Sequence, residues 1–329
     1  TVFTICSQSA SFTQEGFWEY VRAAHPAGLA AAALCTLLYI LLEGLALLTI
    51  CRALGYRRSV GQGVLYSAAD IYFSMNEHGY FNFAASTASA VGAAVSASSG
   101  EGPAAPTAVA LLINLVLYTL SILLMAAAGL ALHPGLLKLF GPASRILIWV
   151  GAGTQVALLA GLTLLIFHEP IFLRLADWAL KIGHKLHLIR DIESRKQKYA
   201  ELRDDYQQCS GALRGQWKLI LLSFVFNLAQ RLAIVLSPVC VYLAEGGNRA
   251  RTGEAFAAQT MVILGSNAVP LPGSVGVADY LFLDGYRSLA QSPVLLELLS
   301  RAISFYSCVV LCGALLLVYA AKRKLSKER

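Results

Sequence analysis

Residues Gly28–Cys51 read GLAAAALCTLLYILLEGLALLTIC, an apolar run with one charged side chain, Glu43. A helix of about 20 such residues crosses the hydrocarbon of a bilayer. Four further stretches have the same character: Thr107–Leu132, Arg145–Phe167, Lys218–Leu243 and Val294–Ala321. The chain is 57% hydrophobic and only 14% charged, with mean hydropathy +0.61. A soluble domain carries about 25% charged residues, so this composition excludes an ordinary water-soluble fold. The expected class is an all-α membrane protein, a polytopic helical bundle lying multi-pass in the cell (cytoplasmic) membrane.

The net charge of +7 does not point to nucleic acid, because the cations sit in short stretches beside apolar runs. Such stretches set orientation, with Arg and Lys retained on the cytoplasmic side. Arg52, Arg57 and Arg58 follow the first span, Arg174, Lys181, Lys185 and Arg190 follow the third, and Lys322, Arg323 and Lys324 follow the last. If all three groups are cytoplasmic, the intervening stretches 59–106 and 252–293 return to the side from which they start. Both are moderately apolar and broken by Gly, Pro, Ser and Asn. We therefore expect two re-entrant, broken-helix hairpins, with plain hairpins of short helices as the alternative. Paired interrupted segments of this kind mark the binding site in many transporters.

The remaining organisation follows. Residues 1–27 are expected to be an extracytoplasmic stub following a further helix upstream. Residues 28–321 form the membrane domain and 322–329 a basic cytoplasmic tail. Within 168–217, Leu175, Trp178, Ile182, Leu186 and Ile189 recur at helical spacing. That pattern suits an amphipathic helix on an anionic leaflet or a connector between bundles.

An ionisable group at mid-membrane costs about 2.5–3.5 kcal/mol on insertion scales, so each one asks for a role. Glu43 lies deep in the first span and Asp70 in the first broken segment. Gln155 lies in the third span, and Asn267 and Asp279 in the second broken segment. Asn227, Gln230 and Arg231 share one face of the fourth span. Arg231 has no acid one helical turn away, so its partner comes from another helix or from a ligand. A guanidinium fork matches phosphate, which makes Arg231 the foremost anion-binding candidate. Arg301 has Glu297 one turn before it, and either pairs along its own helix or contacts a phosphate. The seven cysteines give no disulfide framework, and Cys308 and Cys312 read as packing residues. His184 and His187 share a face but supply too few ligands for a metal. No spacing argues for a catalytic triad, a phosphate-cradling glycine loop, a metal or a cofactor.

The most specific string is Pro270-Leu271-Pro272-Gly273-Ser274-Val275-Gly276-Val277-Ala278-Asp279-Tyr280. Two prolines and two glycines in apolar surroundings turn the chain rather than continue a helix. The string resembles the Pro-x-Pro-Gly-(Gly)-x-Gly-x-x-Glu/Asp motif of the lysylphosphatidylglycerol synthase transmembrane family. The stretches 54–56, 70–74, 229–231 and 301–306 are similar to that family as well, and the resemblance runs from about Gly28 to Ala321. One interior departs from it. After Ser74 the family shows a Thr-Pro-x-x-x-Gly-Gly-x-Pro loop, where this chain has Met75-Asn76-Glu77-His78-Gly79 and then an Ala/Ser/Gly-rich run. The departure over 75–105 is either divergence or a frameshift in the gene, which resequencing decides.

The resemblance implies a lipid-translocating membrane domain. In full-length relatives this domain is joined to a soluble transferase that moves lysine from charged transfer RNA onto phosphatidylglycerol. The membrane part carries the product outward, which gives resistance to cationic antimicrobial peptides. The sequence ends at Arg329, just past the last span, so the membrane part alone is expected. Three functions follow: a flippase for lysyl-phosphatidylglycerol or a related anionic or aminoacylated lipid; a phosphatidylglycerol lysyltransferase or its membrane subunit; and a non-transporting scaffold. For the first, the substrate-binding set is Arg231, Arg301, Asp70, Asp279, Gln230 and Asn227, with Pro270, Pro272, Gly273 and Gly276 shaping the turn. Expected partners are the phospholipid and the membrane, with a separate aminoacyltransferase and a second copy of the chain also compatible. Direct nucleic-acid binding is not expected.

Overall fold

The computed structural model describes residues 14–55, 59–76, 104–168, 170, 174, 215–267 and 275–327. Among the described residues the regular structure is entirely helical. After a short helix α1 (Gln14–Ala23) come α2 (Pro26–Ala53), α3 (Val60–Asn76), α4 (Ala104–Leu132) and α5 (Pro142–Phe167). Then follow α6 (Trp217–Ala244), α7 (Thr252–Ser266) and α8 (Val275–Tyr286). The chain finishes in α9 (Pro293–Arg301), a π-helical turn (Ala302–Tyr306) and α10 (Ser307–Lys327), which run on as one helix.

Five helices are long and apolar enough to cross a membrane: α2, α4, α5, α6 and the α9–α10 helix. They fall on the five apolar stretches, and the chain is a multi-pass α-helical membrane protein. Pro26, Pro142 and Pro293 open three of them at the position where a missing N–H costs nothing and the fixed φ is already helical. Gly55 (φ 91°) follows α2 and Gly246 (φ 79°) follows α6, both in the left-handed region that ends a helix. Large apolar side chains such as Leu34, Leu37, Trp149, Val310 and Leu317 point outward, where a soluble protein would place polar groups.

The centre of the fold is the antiparallel pair α2–α6. Gly28 lies against Ala244, Ser237 Oγ donates to the Ala32 carbonyl (3.2 Å), and Ser223 Oγ donates to the Ala46 carbonyl (3.1 Å). Small residues and hydroxyls let helices approach closely where lipid removes the hydrophobic drive for association. Helix α3 packs on the other side of α2 in the same way. A Cβ on Gly44 would sit 2.8 Å from the Gly63 carbonyl carbon, and Ser67 Oγ donates to the Ile40 carbonyl (2.7 Å). The end of α2 with Arg52 therefore lies beside the start of α6 with Lys218.

Two features interrupt this regularity. Pro238 sits inside α6 and removes one ladder bond. The π turn widens the last long helix, a local change absent from the apolar pattern. Its carbonyls find hydroxyl donors: Ile303 accepts from Thr36 Oγ1 (3.3 Å) and from Ser307 Oγ, and Ser300, just before the turn, accepts from Ser304 Oγ (2.7 Å).

Helices α7 and α8 form an antiparallel hairpin. Tyr286 Oη donates to the Ala255 carbonyl (2.9 Å), and Gly265 lies against Leu281. With 15 and 12 residues they are about 22 and 18 Å long, short of the ~30 Å hydrocarbon core. The connecting turn, with Pro270, Pro272 and Gly273, lies outside the described residues. Gly276 is exposed in the first turn of α8. In the stretch 59–106, helix α3 occupies 60–76, and residues 77–103 lie outside the described ones. The same holds for most of 168–217, including the five apolar positions, His184 and His187.

Helix α1 docks on the far end of α6. His25 N–H donates to the Ala244 carbonyl (2.8 Å), and Phe17, Tyr20 and Val21 pack on the core. Burial pushes the Glu245 carboxyl up from 4.5 to about 7, against the lowering effect of its bond with Tyr20. A raised folded pKa means stability that is full below pH 4.5 and is lost as pH rises through about 7. The protection factors of the α1 amides, with the intrinsic pH dependence of exchange divided out, are therefore expected to be higher at pH 5 than at pH 8. Glu245→Gln should abolish that difference.

Candidate functional site

Two buried polar clusters stand out in the apolar interior. The first joins α2, α4 and α6. Glu43 is 3% exposed; its Oε1 accepts from Asn114 Nδ2 (3.3 Å) and its Oε2 from Gln230 Nε2. Asn227 Nδ2 donates to Asn114 Oδ1 (3.2 Å) and to the Ser223 carbonyl (3.1 Å). Arg231 lies at the edge of this network. Its Nη2 is 4.0 Å from Glu43 Oε2, close enough to balance charge but too far for a hydrogen bond. The guanidinium lies over the Tyr118 ring, 4.1 Å from its centroid, with the Tyr39 ring farther off at 5.6 Å. Three buried atoms here lack a hydrogen-bond partner: Arg231 Nε, Asn227 Oδ1 and Gln230 Oε1.

The second cluster lies between the hairpin and the last helix. Arg301 Nε donates to Glu297 Oε1 (2.7 Å) and Nη2 to Asp279 Oδ1 (2.6 Å). Both acids are 2% exposed. One guanidinium thus faces two carboxylates, and Asp279 Oδ2 and Ser300 Oγ are left without partners. The Arg301–Glu297 pair along one helix is present, and Asp279 arrives from α8 as a second acid. The structure brings Asp279 to Arg301, and Glu43, Gln230 and Asn227 to the neighbourhood of Arg231. Asp70 is buried on α3, where its neighbours Ala68 and Ile71 pack on Ile40.

Three contributors were not among the sequence-based candidates: Asn114, Tyr39 and Tyr118. Asn114 had a signal, being a lone amide between Ile113 and Leu115 in an apolar run. The tyrosines had none, since they become important only where their rings meet Arg231. Glu43 was noticed as costly but was not assigned to the site. Among the described residues, no group of three His, Cys, Asp or Glu is placed to hold a metal.

The family model described as the lysylphosphatidylglycerol synthase TM region matches residues 83–312, more than half of the chain. The chain belongs to this family. The family match takes in Asn114, Arg231, Asp279 and Arg301, while Glu43 and Asp70 precede it. No curated protein and no solved structure matches the chain. As a family member, it is the membrane domain of a lipid-modification or flippase system.

Proposed function

We propose that this membrane domain binds the phosphate of an anionic or aminoacylated phospholipid at Arg231 and carries the headgroup across the bilayer. Lysyl-phosphatidylglycerol is the lipid that family membership suggests first, and its outward movement would blunt cationic antimicrobial peptides. The observation that carries the reading is the contrast between the two arginines. Arg301 spends its donors on two carboxylates at 2.6 and 2.7 Å. Arg231 makes no hydrogen bond to a carboxylate, keeps a buried Nε without a partner and has an aromatic face holding its plane. A phosphodiester offers an acceptor to that Nε.

The α7–α8 helices, each shorter than the hydrocarbon core, support a re-entrant hairpin. In this reading the spare acidity at Asp279 and Glu297 faces the ammonium of an aminoacylated headgroup.

The test is transbilayer movement in proteoliposomes. Lysyl-phosphatidylglycerol placed in the inner leaflet becomes accessible to an impermeant amine reagent as it flips. Protein-containing vesicles are expected to expose it faster than empty ones, and equal rates would contradict the proposal.

A further inference from the structure

Glu43 is paired unlike a structural carboxylate. Two neutral amides, Asn114 and Gln230, hold its oxygens, and among the described residues the cation nearest its charge is Arg231, at 4.0 Å. We propose that anion binding at Arg231 is coupled to protonation of Glu43, so that each bound lipid phosphate brings one proton into the membrane core. The inference rests on the reading that phosphate binds Arg231, and asks what that event does to the partner left behind.

Once a phosphate engages the guanidinium, two anions share one cation in a region of low dielectric, where like charges repel strongly. Glu43 is 3% exposed, so water does not screen it. The least costly relief is for the carboxylate to take a proton from solution, giving a neutral carboxyl with no other covalent bond made or broken. That carboxyl needs an acceptor for its new O–H, and the network already holds one. Gln230 Oε1 is buried without a partner on the same amide that now donates to Glu43. Rotation of that amide by half a turn presents the oxygen to the carboxyl. Asn227 Oδ1 is a second unpartnered acceptor in the same cluster.

Among the described residues, other titratable groups also pack on α2: Tyr66 and Tyr72 from α3, Cys240 from α6 and Cys312 from α10. Arg231 comes from α6 and Tyr118 from α4, while Tyr39 lies one turn away on α2 itself. Helix α3 contributes Asp70, at the level of Ile40, and α10 contributes Cys308, packed on Ile40. Asp70 is the rival proton acceptor and must be tested beside Glu43.

The experiment uses the full chain in a neutral detergent, weakly buffered, with a pH-sensitive dye. Dihexanoyl phosphatidylglycerol is titrated in, and binding and proton uptake are read together. About one proton per bound lipid is expected, and the apparent dissociation constant should rise by up to about tenfold per pH unit on the alkaline side, as linkage requires. Glu43→Gln should bind with no uptake and a flat pH profile, whereas Asp70→Asn should keep the uptake. Binding by the unaltered protein with no proton movement between pH 5 and 8 would overturn the coupling, whether or not any variant folds, and would leave lipid binding standing. Uptake that survives in Glu43→Gln and is lost in Asp70→Asn would also overturn it. Unchanged lipid binding in Arg231→Leu would remove the reading beneath it. Inorganic phosphate is the comparison, and uptake with free phosphate but not with lipid would count against the lipid as the coupled anion.

Discussion

Replacing Arg301 with leucine is expected to destabilise the fold by about 3–5 kcal/mol, the usual cost of removing one partner from a buried ion pair. The reason is geometric. Asp279 and Glu297 are both buried and both depend on the same guanidinium. With it gone, two carboxylates face each other across the α8–α9 contact with no cation between them. Asp279→Asn or Glu297→Gln should cost much less, because Arg301 then keeps one acid and loses only the surplus. Combining Arg301→Leu with both of these neutral substitutions should recover most of the lost stability. The check is reversible unfolding in mixed micelles, followed by circular dichroism. A loss no larger for Arg301→Leu than for Asp279→Asn would show that this cluster does not hold the hairpin to the last helix.

The second large effect falls on function rather than folding. Arg231→Leu is expected to lower lipid affinity by about 10- to 100-fold, because a hydrogen bond to a charged group is worth about 1.5–3 kcal/mol. The accelerated exposure of lysyl-phosphatidylglycerol in vesicles should fall with it. The fold should tolerate the change better than it tolerates loss of Arg301, since Glu43 keeps its bonds from Asn114 and Gln230. Arg231→Lys keeps the charge but loses the planar fork and its stacking on Tyr118, and should recover only part of the affinity. Equal transport by the unaltered protein and Arg231→Leu, with both folded, would move the anion site elsewhere.

The two arginines also show how much of the site was legible before any coordinates. Each drew attention as a charge inside an apolar run, because the cost of burying a charge is a local property of the residue. The pair Glu297–Arg301 is likewise local, four residues apart on one helix. What local pattern could not supply was the third member. Asp279 reaches Arg301 only through the packing of α8 on α9, and Glu43 reaches Gln230 only through the register of α2 against α6. That register is set by close contacts such as Gly28 with Ala244 and Ser223 with Ala46, spread over the whole helix pair. The five long helices were legible because length and apolarity suffice to specify a span. The π turn was not, because the hydroxyls that stabilise it (Thr36, Ser304 and Ser307) look like ordinary small polar residues in sequence.

The most direct measurement is a structure of the full chain in a nanodisc containing phosphatidylglycerol. The account predicts headgroup density within hydrogen-bond distance of the Arg231 guanidinium, beside Tyr118, with Glu43 still held by Asn114 and Gln230. A lipid headgroup bound elsewhere, with Arg231 closed onto Glu43 at hydrogen-bond distance, would contradict it.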